Sequence, residues 1–233
     1  MTTPKLLTGF ADGIMTVSLN RPDKLNAIDN ELAHALLAAV EQAARDESVR
    51  VLLLRGNGRA FCAGRDVSAQ PTEEDLVLVQ AVAKALVRLP KPVLASVHGW
   101  TVGAGFEWML NADIVLGAES ARFKLPEASL GVFVTGGLTA TLPAYAGLAR
   151  AKALMLLGEE FSPAQAQAWG LVWKVVADSE LESAAQQAAA RLASLKPEVA
   201  ASFKRVLNET GLRRFDDAIA LENDAQRAAR RLG

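Results

Sequence analysis

The reading turns on Pro92-Val93-Leu94-Ala95-Ser96-Val97-His98-Gly99-Trp100-Thr101-Val102-Gly103-Ala104-Gly105-Phe106-Glu107. An apolar strand-like run, Pro92 to Val97, feeds three glycines within seven residues, and a carboxylate then enters an apolar helix-like run. Glycine admits backbone conformations and close ligand approach that a side chain would block. A helix N-terminus presents unpaired N–H groups and the positive end of a dipole, so such a turn can hold an anion. Farther on, Pro126-Glu127 offers a second carboxylate at another helix-start signal. Together they suggest an acid/base pair beside an oxyanion pocket.

Working outward, Leu6 to Phe10 and Ile14 to Leu19 are β-prone runs joined by Asp12-Gly13, a strong hairpin signal. Asp29 is placed to cap a helix reaching about Ala44, with Leu32, Leu36, Ala39, Val40 and Ala43 on one face. Val49 to Leu54 is apolar except for Arg50, as expected of a strand buried on both faces. A helix is expected from about Asp75 to Leu89, and a short strand over Asp113 to Leu116. Beyond Pro126 the pattern is mostly helical: Leu138 to Tyr145, Leu148 to Leu157, Pro163 to Trp169, a short strand Val172 to Val176, then helices from Leu181 to Arg231. Strand–helix alternation followed by helices predicts an α/β core with a helical C-terminal part. No low-complexity linker interrupts it.

The 233 residues suffice for one large domain, and an apolar fraction of 51% supports a sizeable core. A mean hydropathy of +0.16 is slightly more apolar than a freely soluble monomer needs, which hints at buried subunit contacts. A formal net charge of −1 supplies no global basic field for nucleic acid or an anionic membrane. The single cysteine, Cys62, excludes an internal disulfide and a multi-cysteine metal site. His34 and His98 lack metal-ligand spacing. No uncharged apolar run reaches the ~18–20 residues that span a bilayer, and Met1 to Lys5 resembles no signal peptide. A cytoplasmic protein is the expectation.

Two glycine turns stand out, Phe61-Cys62-Ala63-Gly64-Arg65 and Gly103-Ala104-Gly105, each after a β-prone stretch. If they converge, two backbone N–H groups form an oxyanion hole; each turn alone could equally serve tight packing. Glu107 is either a surface residue of an amphipathic helix or a buried acid, and the flanking Phe106 and Trp108 favour burial, which disfavours its charged form. Glu127 can act in the same pocket or simply stabilise a helix N-terminus. Two acids in one pocket push each other's pKa values apart, giving one acid and one base. Cys62 reads as a small buried hydrophobe, and Asp66 and Asp113 as turn and capping residues. Arg227 to Arg231 read as a solvated face or a complement to the helix dipole.

Taken in order, Asn20-Arg21-Pro22-Asp23-Lys24-Leu25-Asn26-Ala27, Ala60-Phe61-Cys62-Ala63-Gly64-Arg65-Asp66, Lys91 through Glu107, Asn111-Ala112-Asp113-Ile114, Phe123-Lys124-Leu125-Pro126-Glu127 and Leu130-Gly131 resemble the enoyl-CoA hydratase/isomerase (crotonase) superfamily. The resemblance implies a crotonase-like spiral of β-β-α units over residues 1–177, carrying the active site, and a C-terminal helical trimerisation segment over 178–233. It implies an oxyanion hole from the backbone N–H groups of Arg65 and Ala104, and the glutamates Glu107 and Glu127 as catalytic residues. Glu107 would hold and activate water at the β-carbon of a 2-enoyl-CoA, and Glu127 would move the proton at the α-carbon. The resemblance also places backbone groups of Leu25, Ala27 and Ala63 against adenine, Lys24 near a CoA phosphate, and Arg65, Asp66, Val67 and Ser68 along the thioester and pantetheine arm. No metal or other cofactor is implied, since coenzyme A belongs to the substrate, and a homotrimer or hexamer is expected. The alternatives are a double-bond isomerase using Glu127 alone, or a catalytically silent assembly or RNA-binding member. The chain departs from the hydratase pattern at Val134, at a Thr135-Gly136-Gly137 turn about one residue short, and at Phe106 and Trp108, all read as flanking the acyl pocket. Trp100, Phe133 and Trp173 are further candidates to shape that pocket, or are simply core.

Overall fold

A computed structural model describes residues 3–68, 72–212 and 214–231. The chain begins with a hairpin, β1 (Leu6–Ala11) and β2 (Ile14–Leu19), paired antiparallel with Ala11 opposite Ile14. Asp12 and Gly13 between them both have positive φ, 51° and 78°, which is the twist a two-residue hairpin loop needs. Helix α1 (Asn30–Arg45) follows, and the Asp29 carboxylate accepts the Leu32 N–H at its start.

Three successive turns then each send one strand to a large sheet and one to a small sheet. They are β3 (Val51–Gly56) with β4 (Ala60–Cys62), β5 (Val93–Val97) with β6 (Trp100–Val102), and β7 (Ile114–Ala118) with β8 (Arg122–Lys124). Helix α2 (Glu73–Arg88) closes the first of these turns and α3 (Ala104–Leu110) the second. The chain continues through α4 (Leu138–Ala146), α5 (Leu148–Leu157), α6 (Pro163–Ala168), β9 (Lys174–Val176), α7 (Leu181–Ala193), α8 (Pro197–Gly211) and α9 (Phe215–Arg230). The large sheet has the order β1-β2-β3-β5-β7-β9, parallel from β2 onward, and the small sheet is parallel with the order β4-β6-β8. This is the spiral of β-β-α units that the resemblance implied.

Alternation of side chains along a strand sends neighbours to opposite faces. Leu52 and Leu54 therefore join the main core with Leu32, Leu36 and Val40 of α1. Val51 and Leu53 face the other way, onto Leu181, Ala185 and Ala189 of α7. Burial on both faces explains why β3 reads as an unbroken apolar run. The C-terminal helices are packed into this architecture: α7 covers the large sheet, and Phe215 and Ile219 of α9 pack with Ala83 and Val87 of α2.

Asp113 does more than cap a turn. Its carboxylate accepts the Val93 N–H at 2.7 Å and pairs with the buried Lys204 Nζ at 2.8 Å. Lys204 also donates to the carbonyls of Leu86 and Lys91, at 2.9 and 3.2 Å. Its donors thus tie α8 to the end of α2 and the start of β5. Removing the carboxylate would leave an ammonium in a low-dielectric site without its counter-charge. Asp113→Ala is expected to destabilise the protein by about 3 kcal/mol, read as a lower urea midpoint. Arg205→Ala, which removes only an exposed pair with Glu209 on the same helix, should change that midpoint little.

Candidate active site

The small sheet positions the site. Its three parallel strands end at Cys62, Val102 and Lys124, and the residues just beyond those ends are Gly64-Arg65, Gly103-Ala104 and Pro126-Glu127. The carboxyl ends of neighbouring parallel strands are where α/β folds gather their ligands. The two glycine turns do converge: a Cβ on Gly64 would lie 2.9 Å from the Val102 carbonyl oxygen and 3.8 Å from the Ala104 nitrogen. The Gly64 carbonyl accepts the Ile28 N–H, and the Asp66 N–H donates to the Ile28 carbonyl. In such a parallel bridge the intervening Arg65 turns its own N–H away from Ile28. Neither the Arg65 nor the Ala104 N–H has an acceptor among the described residues.

Gly103, with φ 52°, turns the chain from β6 into α3, a conformation that suits glycine. A Cβ there would also lie 2.7 Å from Glu127 Oε1, which puts that carboxyl against the turn that carries the Ala104 N–H. At the helix-start signal read from the sequence, Glu127 opens a single 3-10 turn, Glu127–Leu130. Its Oε2 is buried without a hydrogen-bond partner among the described residues. Burial raises its pKa from the ordinary 4.5 to about 7.

Glu107 sits one turn into α3 and is only 2% exposed, so burial decides between the two readings of it. Its carboxylate accepts the Gly136 N–H and, at 3.3 and 3.4 Å, the Thr135 N–H. Asn111, at the end of α3, donates from Nδ2 to the Gly136 carbonyl at 3.0 Å. The altered Thr135-Gly136-Gly137 turn is therefore fastened to α3 from both sides. Desolvation holds the Glu107 carboxyl well above the usual range, and the charges of Glu222 and then Glu127 add to the push.

Glu222 of α9 is a component that reasoning from sequence missed. Its signal was present: a carboxylate on the stripe Phe215, Ala218, Ile219, Glu222, Gln226 that faces inward. Two other expectations need correction. Phe106 and Trp108 are fully buried and line no space that water can enter. The Phe106 ring lies edge-on to Phe123 and Phe161 in the core. Trp173 is exposed at the surface, Phe133 partly so, and Trp100 carries the Arg122 guanidinium over its ring. Cys62 is buried as expected, with its thiol raised to about 12 by desolvation.

The remaining residues named from the resemblance form one edge of this region. The carbonyl of Leu25, a residue in the left-handed region at φ 51°, accepts the Ala63 N–H at 2.9 Å. The N–H groups of Leu25 and Ala27 go to the Pro22 and Lys24 carbonyls. All three amides are thus used within the chain, and the Ala27 carbonyl accepts from the Arg21 guanidinium. Lys24 is exposed, as are Val67 and Ser68. Asp66 binds the Arg21 guanidinium at 2.9 Å and the Ser68 N–H at 3.1 Å. The Ser68 and Arg21 hydrogen bonds lower its pKa to about 2, so its evident work is to hold the loop. Arg65 reaches Asp75 of α2 at 3.3 Å with its side chain. Among the described residues no cluster of His, Cys, Asp and Glu has the arrangement to hold a metal ion, and no helix is long and apolar enough to cross a membrane.

Residues 9–230 match the family model described as enoyl-CoA hydratase/isomerase. The chain belongs to this family. It is 39% identical to the 1,2-epoxyphenylacetyl-CoA isomerase of Escherichia coli K12, over 97% of this chain and 90% of that protein. It is 34% identical to the 2,3-dehydroadipyl-CoA hydratase of the same organism, over 88% and 82%. An enoyl-CoA hydratase structure from Mycobacterium avium subsp. paratuberculosis K-10 superposes with a TM-score of 0.92 at 33% identity, covering 97% of this chain and 89% of that one. Membership in the enoyl-CoA hydratase/isomerase family thus extends across the core and the C-terminal helices alike.

The raised pKa of Glu127 has a consequence for stability. Between about pH 4.5 and 7 the folded protein keeps a proton that the unfolded chain has released, so this group's contribution to stability falls as pH rises through that window. Glu127→Gln should therefore raise Tm at about pH 8 and change it little at about pH 4. Equal shifts at both ends, by differential scanning fluorimetry, would contradict the assignment.

Proposed function

We propose that the protein adds water to a 2-enoyl-CoA, or removes it from the 3-hydroxyacyl-CoA, through an enolate-like state held by backbone donors. The observation that carries this reading is the convergence of Gly64-Arg65 and Gly103-Ala104, with Glu127 on the third strand end and Glu107 one helical turn inside. The thioester oxygen lies between the Arg65 and Ala104 N–H groups, which stabilise the charge that develops on it. In hydration Glu107 takes a proton from water as its oxygen bonds to the β-carbon, and Glu127 delivers a proton to the α-carbon. Dehydration runs the same transfers backward, with Glu127 as base and Glu107 as acid. A carboxyl titrating near 7 suits either direction of transfer at neutral pH. The CoA arm runs along Lys24 to Ala27 and Ala63 to Ser68. The reaction needs no metal or further cofactor, and neither nucleic acid nor membrane is a partner.

Double-bond isomerisation is the second reading, and a specific observation favours it. Glu107 is committed to the Gly136 and Thr135 amides, whereas Glu127 keeps an uncommitted oxygen and can carry a proton between carbons by itself. The relative that shares 39% identity is named a 1,2-epoxyphenylacetyl-CoA isomerase, an isomerase of an epoxide and not of a double bond, so it supports isomerase chemistry only in the broad sense. We also propose a homotrimer or hexamer in the cytoplasm. Exposed Val199, Phe203, Val206 and Leu207 on α8, with Leu156, Leu157 and Trp173, give apolar surface that assembly would cover.

Glu107→Gln separates the two reactions. Hydration, followed by loss of the conjugated-thioester absorbance, should fall by about 10²-fold or more. Isomerisation of a 3-enoyl-CoA should survive if Glu127 acts alone. Calorimetric titration with CoA tests the whole reading, and the absence of CoA binding would return the chain to a silent scaffold.

A further inference from the structure

The turn that holds Glu107 also holds a second buried carboxylate. Gly136 N–H serves Glu107, while the next amide, Gly137 N–H, serves Glu222 Oε2 at 2.8 Å. Glu222 Oε1 accepts the Thr139 N–H at 2.8 Å and its hydroxyl at 2.6 Å. Glu222 is fully buried. The same helix secures the segment at two more points. Gln226 Oε1 accepts the Phe133 N–H at 2.5 Å, and the Phe215 ring fills the space a side chain on Gly137 would need.

Two carboxyls on adjacent amides of one turn repel each other if both ionise. Among the described residues no Lys, Arg or His forms an ion pair with either. The charged groups that face Glu107 are Glu127, beyond β8, and Glu222 on α9. On α4 no Asp, Glu, Lys, Arg or His is present. On α2, the Asp75 carboxylate accepts the Thr72 N–H and pairs with Arg65, and Glu73 pairs with Arg227. One proton must therefore be shared, and the donors decide where it goes. Burial raises the pKa of Glu222 too, but three well-made hydrogen bonds oppose that and favour its anion, whereas Glu107, pushed up by burial as well, has one close donor and one at long range.

We propose that Glu222 is a positioning residue whose carboxylate, anchored on the shared turn, keeps the proton on Glu107. Desolvation and the neighbouring Glu222 charge both raise the proton affinity of Glu107, in keeping with this arrangement. Above about pH 7, where Glu127 has released its own proton, Glu107 is then the acid and Glu127 the base in the free enzyme, the distribution that removes water from a 3-hydroxyacyl-CoA. Hydration begins from the tautomer with the proton moved to Glu127, which carries the same total charge. What the proton is used for rests on the acyl-CoA reading; where it resides does not.

The test is a substrate-free infrared titration of the full chain, following the protonated carboxyl band that disappears in Glu107→Gln. In Glu222→Gln the loss of the neighbouring charge should lower the pH at which that band titrates by about one unit or more. Glu222→Asp, which keeps the charge, should restore most of the difference. Because Glu107 keeps its proton while Glu222 ionises, Glu107→Gln should leave the Glu222 titration nearly unchanged, and a Glu222 carboxyl that titrates markedly lower in that variant would overturn the assignment. That measurement carries the test if Glu222→Gln does not fold. With a 2-enoyl-CoA, the basic limb of kcat/KM should move down in pH by a similar amount while KM changes little. An unchanged Glu107 titration in Glu222→Gln, even with a loss of rate, would reduce Glu222 to a cap on α4 and overturn the proposal. Coupling without turnover of any acyl-CoA would sink the reaction and keep this inference; turnover without coupling would do the reverse.

Discussion

Parallel pairing of three three-residue strands is the constraint from which the site follows. Cys62 is registered with Thr101, and Thr101 with Phe123. Neighbouring strands lie about 4.8 Å apart, so the first residues past their ends are brought together whatever the intervening sequence does. The close approach continues behind the site, where a Cβ on Gly105 would lie 2.5 Å from the Cys62 carbonyl oxygen. A slip of one residue in this small sheet would turn the Arg65 or Ala104 amide aside. The large sheet and its helices fix the small one by supplying the strand immediately before each of its members.

Burying acids is costly, and the protein meets that cost with main-chain donors instead of cations. Glu107 and Glu222 together draw on amides of the Thr135 to Thr139 segment, and Glu127 retains an oxygen with no protein donor among the described residues. Fixed amide dipoles stabilise an anion without neutralising it, so proton affinities stay high and responsive to one another. A buried lysine would have quenched that responsiveness. The buried lysine that the fold does contain, Lys204, is committed to Asp113 and two carbonyls away from the three glutamates.

Much of the fold was legible because long elements carry periodic signals. Asp29 was readable as a cap, Asp12-Gly13 as a hairpin turn, and Val49 to Leu54 as a doubly buried strand, which the structure places at Val51–Gly56. The strands β6 and β8 were not legible, since three residues such as Trp100-Thr101-Val102 hold no period. The residues alone singled out the two glycine turns, Glu107 and Glu127, and the family resemblance of the ordered motifs added Arg65 and Ala104. Glu222 escaped because it lies far away in sequence, and its partners, Gly137 and Thr139, signal nothing beyond a turn. Phe106 and Trp108 were misread because aromatic character states that a side chain is buried, not against which neighbours. Asp113 looked like a local cap because its partner, Lys204, arrives from a helix near the other end of the chain.

The division of one turn between two helices has a dynamic corollary. Helix α9 cannot lift from α4 without releasing the Gly137 and Thr139 amides, and Gly136 lies one peptide away. Local opening of the last helix and loss of order around Glu107 are thus a single cooperative event. Deuterium uptake at the Gly136 and Gly137 amides would then count the fraction of molecules whose acid is out of place, linking solvent exchange at two backbone positions to the share of protein competent to react.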